Sequence, residues 1–268
     1  MIDRGKYNVL GVHVDAVDYG GAVARIVAAA RESRPLAVSA LAVHGVMTGV
    51  LDAAHRYRLN RLDLVCPDGQ PVRWALNLLH RAGLRDRVYG PQLMLETCRA
   101  AANEGLPLFL LGGQSETLQA LSQNLQAQFP GLQIAGVRPS KFRKLTPAEW
   151  DELVTEIRQS GAKILLVGLG CPRQEVFAYE AREAVSMPLL AVGAAFSFHS
   201  GQLPQAPPLM QRTGLEWLYR LAQEPGRLWR RYVLLNPTYL ALLALQRVGL
   251  HTIDAEKLSA PHGMTMYG

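Results

Sequence analysis

The residue with the clearest chemical use is an aspartate, Asp68, which follows a short, mostly apolar run at residues 62–66. That run predicts a buried strand, and Pro67 and Gly69 on either side of the aspartate indicate a turn at its end. A carboxylate at the carboxyl end of a strand is well placed to accept a proton from a substrate hydroxyl. Asp68 could instead stabilise its own turn, and the local sequence alone favours that simpler role.

A second candidate feature is the glycine-rich turn at residues 168–170, which follows a predicted strand. It matches half of a dinucleotide-binding fingerprint, but Arg173 stands where the third glycine would be, and no acidic residue ends the next strand. NAD binding is therefore disfavoured, and a tight strand-to-helix turn is the favoured interpretation. Gln174 and Glu175, on the first turn of the following helix, would still point into a cleft.

The sequence gives no sign of a metal site. It contains no Asp-x-Asp pair, the motif with which many nucleotide-sugar enzymes hold Mg²⁺ or Mn²⁺. Cys66, Cys98 and Cys171 are too widely spaced for a disulfide framework or a zinc site. We expect no metal ion and no cofactor. If the substrate has a diphosphate leaving group, positive side chains and helix N-termini would have to stabilise it.

These candidate residues need a scaffold, and the chain alternates short apolar runs with helical periodicity. The predicted strands are residues 36–41, 62–66, 107–111, 133–137, 163–167 and 188–192. The predicted helices are residues 19–33, 45–58, 71–79, 92–103, 116–129, 147–159 and 172–183. This alternation predicts an α/β fold, a parallel sheet with helices on both faces. Ligands bind at the carboxyl ends of strands in such sheets, which places the candidate residues in one cleft.

The chain changes character after residue 204, where Pro207 and Pro208 interrupt the α/β pattern. We divide it into a catalytic domain at residues 1–204 and a helical, basic appendage at residues 205–268, with helices at 215–223 and 227–235. Arginines alternate with aromatic residues in the appendage. The pattern favours contact with the headgroups and phosphates of a membrane surface over helices that only pack on their own domain.

The overall charge agrees with phosphate-bearing partners. Lys plus Arg number 28 and Asp plus Glu 22, a formal net charge of +6. Nucleic acid is a poorer fit, because the chain has no known nucleic-acid-binding motif. No apolar run approaches the roughly 20 residues that span a bilayer, so we expect a peripheral protein. An apolar surface left uncovered by the short appendage could support a homo-oligomer.

Over roughly residues 9–232 the sequence resembles the WecG/TagA/CpsF glycosyltransferases, glycosyltransferase family 26. The most specific string is GLEWLYRL at residues 214–221, continued by residues 223–225 and 227–232. Supporting matches lie at residues 67–69, 87–90, 168–175 and 193–196.

The resemblance implies a Rossmann-like fold. It also implies an inverting, metal-independent transfer of a sugar from a UDP-sugar to an acceptor sugar that is carried on a polyprenyl diphosphate, namely undecaprenyl diphosphate. The resemblance also implies that the protein acts at the cytoplasmic face of the bacterial inner membrane. Asp68 matches the family's proposed general base, Arg87 a diphosphate-binding arginine and Gln174 a cleft residue near the sugar. The full set of expected substrate-binding residues is Ser39, Arg87, Gly112, Gly168, Gln174, Glu175, Arg220, Arg227 and Arg230.

Several positions depart from the family pattern, and they bear on the donor sugar. Ser39 and Leu41 stand where Thr and Asn are usual, and Ser197 stands where Asp is usual. These departures make N-acetylmannosamine a less favoured donor sugar. Residues 68–74 are similar to the branch of the family that transfers glucose in exopolysaccharide synthesis, and we favour that activity. Transfer from UDP-N-acetylmannosamine and a non-catalytic UDP-sugar-binding sensor remain the alternatives.

Overall fold

The computed structural model describes residues 1–250 and 259–268, and the side chains of all of these except Arg227 and Arg231. The strands are β1 (Asp3–Val9), β2 (Val12–Val17), β3 (Leu36–Leu41), β4 (Leu64–Pro67), β5 (Leu108–Gly112), β6 (Ile134–Arg138), β7 (Ile164–Gly168) and β8 (Pro188–Ala191). Strands β3 to β8 form a parallel sheet in the order β4-β3-β8-β7-β5-β6. The predicted parallel α/β sheet is confirmed.

Helices follow most of the strands. They are α1 (Tyr19–Arg31), α2 (Val43–Leu51), α3 (Ala53–Asn60), α4 (Gln70–His80), α5 (Gly90–Glu104), α6 (Ser115–Gln128), α7 (Pro147–Gln159), α8 (Arg173–Val185) and α9 (Ala195–His199). One face of the sheet packs with α1, α5 and α6, and the other with α2, α4, α7 and α8. Because both faces are covered, the central strands are buried along their length and read as continuous apolar runs. The Rossmann-like arrangement is confirmed.

Two local features differ from the sequence prediction. The helix predicted at residues 45–58 is in fact two helices, because the Asp52 carboxylate accepts hydrogen bonds from the N–H groups of Ala54 and His55 and caps α3. Strands β1 and β2 were not predicted. They form an antiparallel hairpin whose two turn residues, Leu10 and Gly11, both have positive φ, the geometry that matches the twist of such a pair.

The C-terminal segment is helical, as predicted, and extends further than expected. It contains α10 (Pro208–Thr213), α11 (Glu216–Gln223), α12 (Pro225–Arg230), a π-helical stretch (Arg231–Leu235) and α13 (Asn236–Arg247). Tyr239 and Leu243 of α13 are buried in the same cluster as Val9 and Val46. This helix therefore shares the core of the α/β unit, and the boundary at residue 204 stays a prediction.

The last described residues, 259–268, return to the α/β unit. The Glu180 carboxylate of α8 accepts hydrogen bonds from the backbone N–H groups of Thr265 and Met266. The Leu145 N–H donates to the Met266 carbonyl at 2.8 Å. Across residues 1–250 and 259–268, no helix combines the length and apolar character that crossing a membrane requires.

Candidate active site

A cleft of about 750 Å³ lies at the carboxyl ends of β3, β4, β5, β7 and β8. Loops that follow these strands form its floor, and α11 of the C-terminal segment closes one side through Arg220. Of the residues expected from the sequence, the cleft wall brings together Asp68, Gly168, Gln174, Glu175 and Arg220. The strand-end location is the one expected for a parallel sheet, while the roles of the individual side chains stay predictions.

Asp68 is half-buried directly after β4, and it faces the N-terminus of α5. Burial raises the pKa of the Asp68 carboxyl to about 7, and Glu216 adds to the rise, while Arg87, the Gly90 N–H and Arg220 oppose it. A carboxyl group of this pKa exchanges a proton readily near neutral pH. The role of Asp68 as a general base stays a prediction, and a raised pKa agrees with it.

Arg87 lies in the loop before α5 and is buried. Its Nη2 donates a hydrogen bond to Oε2 of Glu216, which the first turn of α11 carries, and its guanidinium stacks over the Tyr89 ring at 4.1 Å. Tyr89 lines the cleft, whereas Arg87 stands one layer behind it. The charge of Arg87 acts on Asp68, but its hydrogen-bond partner is a protein carboxylate. Its contact with a diphosphate stays a prediction.

Ser39, Gln174 and Glu175 form a hydrogen-bonded group at the floor of the cleft. The Ser39 hydroxyl of β3 and Nε2 of Gln174 both donate to Oε1 of Glu175, at 3.1 and 2.9 Å. Burial raises the pKa of Glu175, and hydrogen bonds from Gln174, Ser39 and Cys171 oppose the rise. The sequence placed Gln174 and Glu175 at this cleft, but it did not indicate that Ser39 reaches them.

Gly112 and Gly168 have a packing role that the sequence did not reveal. A Cβ atom on Gly112, where φ is +118°, would lie 2.6 Å from the carbonyl carbon of Gly168. A Cβ atom on Gly168 would lie 2.6 Å from the Phe196 ring. Only glycine allows β5, β7 and the Phe196 ring to approach so closely. Gly168 also lines the cleft, so its expected ligand contact stays a prediction beside this structural role.

The three expected arginines of the appendage are not equivalent. Arg220 lines the cleft, with its guanidinium 5.5 Å from the centre of the Phe198 ring. Arg230 is exposed, lies 5.3 Å from the centre of the Trp229 ring and is not part of the cleft wall. The side chain of Arg227 lies outside the described part of the structure.

Some residues at or near the site are not among the substrate-binding residues that the sequence predicted. Tyr89, Gly193, Phe198 and Glu224 line the cleft, and Glu216 stands behind Arg87. Gly193 follows β8 and Phe198 lies in α9, whereas Tyr89 precedes α5 and Glu224 follows α11. No local pattern linked Glu216 and Glu224 to the strand ends. His199 has a structural role, because its Nε2 lies 2.9 Å from the carbonyl oxygen of Pro91.

A protein metal site requires several ligating side chains that converge on one point. Within residues 1–250 and 259–268, no group of three or more His, Cys, Asp or Glu side chains is arranged to hold a metal ion. The charged groups around the cleft are instead Asp68, Glu175, Arg220 and Glu224.

Comparison with known protein families gives a match that covers most of the chain. A family model described as "Glycosyl transferase WecG/TagA/CpsF family" matches residues 7–252. The matched region includes the whole parallel sheet, the cleft and the helices α10 to α13.

Proposed function

The chain belongs to the WecG/TagA/CpsF glycosyltransferase family, and we propose that it transfers a hexose, glucose in the first place, from a UDP-sugar to a sugar carried on polyprenyl diphosphate. The observation that carries the proposal is Asp68, a cleft carboxyl group whose pKa burial raises to about 7. Glycosyl transfer to a hydroxyl needs a group that accepts the hydroxyl proton, and Asp68 is suited to it.

In the proposed step, the Asp68 carboxylate accepts the proton of the acceptor hydroxyl. The acceptor oxygen forms a bond to the anomeric carbon, and the bond between that carbon and the β-phosphate oxygen breaks. UDP leaves with the electron pair, and the configuration at the anomeric carbon is inverted. The transfer is complete when Asp68 returns its proton to solvent.

The leaving diphosphate needs positive charge or N–H groups close to its oxygens. The loops after β5 and β7 run into the N-termini of α6 and α8, and helix N-termini attract anions. Arg220 adds a guanidinium to the same cleft. These groups support a position for UDP across residues 113–115 and 168–174, with no metal ion in the reaction.

The C-terminal segment supports a lipid-linked acceptor at the cytoplasmic face of the bacterial inner membrane. It exposes large apolar side chains: Leu209, Leu215, Leu218, Trp229, Val233, Leu234, Leu240, Leu245, Val248 and Leu250. Exposed apolar residues in such number mark an interaction surface. Because α11 also carries Arg220 into the cleft, the same segment would bring the acceptor's diphosphate close to Asp68.

The test is the release of UDP in the presence of EDTA and a short-alkyl-diphosphate-glucose acceptor. UDP-glucose, UDP-N-acetylmannosamine and other UDP-sugars are supplied one at a time, and each reaction is repeated without acceptor. We expect acceptor-dependent release from UDP-glucose. Release from UDP-N-acetylmannosamine alone would show that glucose is the wrong donor sugar, while the proposed glycosyl transfer would stand. Binding of UDP without release from any donor would favour the alternative of a UDP-sugar sensor.

A further inference from the structure

The last described residues, 264–268, run from α8 to the loop between β6 and α7, which also forms part of the cleft wall. They lie beyond residues 7–252, the part of the chain that the family model matches. The proposed proton transfer at Asp68 does not involve them. Their contacts with the cleft loop indicate a separate role.

Glu180 of α8, whose side chain is 3% exposed, holds one end of this segment. Its two carboxylate oxygens accept the N–H groups of Thr265 and Met266, at 2.8 and 3.0 Å. Nη2 of Arg58 lies 3.7 Å from the same carboxylate and donates to the Thr265 hydroxyl at 3.3 Å. Because hydrogen bonds to a charged group are stronger than those between neutral groups, Glu180 fixes the segment firmly on α8.

The other end of the segment binds the loop between β6 and α7. The Leu145 N–H donates to the Met266 carbonyl at 2.8 Å. The Lys141 N–H and the Ser140 hydroxyl both donate to the main-chain oxygen of Gly268, at 3.2 and 2.9 Å. The segment therefore holds the loop near both of its ends.

Phe142 lies between these two attachments and lines the cleft. Its φ is +55°, in the left-handed region that a bulky side chain rarely adopts. Such a conformation persists only where the surrounding structure holds it. Phe142 is 55% exposed, so the hydrogen bonds on either side of it, more than the packing of its ring, hold this conformation.

The same loop borders the place proposed for UDP. The Ser140 N–H donates to the carbonyl of Gly113, which lines the cleft, at 3.0 Å. Nη1 of Arg173, at the start of α8, donates to the Phe142 carbonyl at 3.3 Å, and its guanidinium lies 5.7 Å from the centre of the Tyr267 ring. A shift of the loop would therefore move the Phe142 ring relative to a nucleotide in the cleft.

We propose that residues 264–268 are a positioning segment, which holds the loop so that the Phe142 ring packs against the UDP-sugar in the cleft. An aromatic ring at the edge of a cleft adds a large apolar contact area to a bound ligand. The inference rests on the proposed UDP-sugar transfer for the identity of the ligand, whereas the attachment of the loop does not depend on it. Phe142 contacts the substrate, and the segment acts through Phe142.

Hydrogen exchange of the loop, followed by mass spectrometry, tests the attachment. Met266→Pro removes the N–H that binds Glu180, and the φ of proline, about −65°, is incompatible with the +55° of Met266. The loop should then exchange at least about tenfold faster than in the parent. Ala260→Pro makes the same kind of exchange at an exposed residue before Pro261 and should keep the parent rate.

Glu180→Gln weakens the same attachment from the side of α8. Its amide nitrogen replaces one of the two accepting oxygens, so either Thr265 or Met266 loses its acceptor. The loop should exchange faster in this variant as well. Titration calorimetry measures the dissociation constant of UDP-glucose, and Met266→Pro and Glu180→Gln should each bind it about three- to tenfold more weakly than the parent.

A double variant shows whether the segment acts through Phe142. Phe142→Ala should itself weaken the binding of UDP-glucose about three- to tenfold. Adding Met266→Pro to Phe142→Ala should weaken the binding by less than about twofold more, because the ring that the segment positions is already absent. A general loss of structure would instead make the two losses multiply.

The outcomes separate the inference from the function on which it rests. Unchanged loop exchange in both single variants contradicts the inference, as does faster exchange with an unchanged affinity for UDP-glucose. Losses that multiply in the double variant contradict it as well. If Glu180→Gln does not fold, Met266→Pro decides by itself. A parent that binds neither UDP nor UDP-glucose contradicts the proposed function, and loop exchange in Met266→Pro then still tests the attachment.

Discussion

Arg87 and Glu216 form a buried, hydrogen-bonded ion pair that joins the loop before α5 to the first helix turn of α11, 129 positions further along the chain. Both side chains are about one-tenth exposed, so each charge depends on the other for its stabilisation. The pair holds the C-terminal segment against the cleft and keeps a positive and a negative charge near Asp68.

The Glu216→Ala variant should be markedly less stable than the parent. Removing one partner of a buried ion pair leaves the other charge uncompensated, which typically costs about 3–5 kcal/mol. Urea unfolding followed by circular dichroism measures the change in the free energy of unfolding. Glu152→Ala is the matched control, because Glu152 pairs with Arg138 at the surface and should lose about 1 kcal/mol or less. Equal losses in the two variants would contradict the structural role of the Arg87–Glu216 pair.

The pH dependence of kcat/KM should report the pKa of Asp68 in the free enzyme. Because Asp68 must be ionised to accept a proton, kcat/KM should rise with pH and level off above about 7. Glu216 raises the pKa of Asp68, so Glu216→Gln should move the midpoint of the rise to lower pH. A parent midpoint near the ordinary value for aspartate, about 4, would contradict the raised pKa of Asp68 and its role as the proton acceptor.

The Asp68→Asn variant should be more stable than the parent at pH 8. The folded protein holds the Asp68 proton more tightly than the unfolded chain, so ionisation destabilises the fold as the pH rises from about 4 to about 7. Asparagine has no such ionisation, and the gain at pH 8 should be about 1–3 kcal/mol. Thermal and urea unfolding at pH 8 and pH 4 measure it, and the gain should shrink at pH 4. A variant less stable than the parent at pH 8 would show that the pKa of Asp68 is not raised.

The Val233→Asp/Leu234→Asp variant should bind weakly to vesicles that contain anionic phospholipid. Both side chains are more than half exposed on the π-helical stretch, and losing two apolar contacts with lipid should weaken binding at least about tenfold. Co-sedimentation measures the bound fraction, and about 1 M salt should weaken the binding of the parent as well. Leu51→Asp alters an exposed leucine on α2 and serves as the control. Equal binding by the double variant and the parent would rule out this membrane contact.

The sequence predicted the sheet well because most of its strands are buried on both faces. Runs such as residues 164–167 are wholly apolar, and a parallel sheet covered by helices requires that composition. The β1–β2 hairpin escaped prediction because β1 mixes charged and polar residues with few apolar ones. The break between α2 and α3 was predictable in principle, because Asp52 is a residue type that commonly caps the start of a helix. The sequence prediction ended the last helix at residue 235, before Pro237, and so missed α13. Proline is well tolerated in the first turn of a helix, and Pro237 lies in the first turn of α13.

The site was predictable only where its residues follow strands. Asp68 and Gln174 could be placed at one edge of the sheet from topology alone. The contact between Arg87 and Glu216 joins distant parts of the chain and has no local signal. The raised pKa of Asp68 also depends on burial by residues far apart in the sequence. Long-range packing thus determines the chemistry of a side chain whose position the sequence already indicates.

The central claim, that Asp68 is the general base of a glycosyl transfer, is tested most directly by comparing Asp68→Asn with the parent. The measurement is kcat for UDP release from UDP-glucose with the alkyl-diphosphate-glucose acceptor, together with the dissociation constant of UDP. We expect kcat to fall roughly 10²–10⁴-fold, as for the loss of a positioned proton acceptor, with the affinity for UDP nearly unchanged. An unchanged kcat would contradict the claim and remove Asp68 from the reaction.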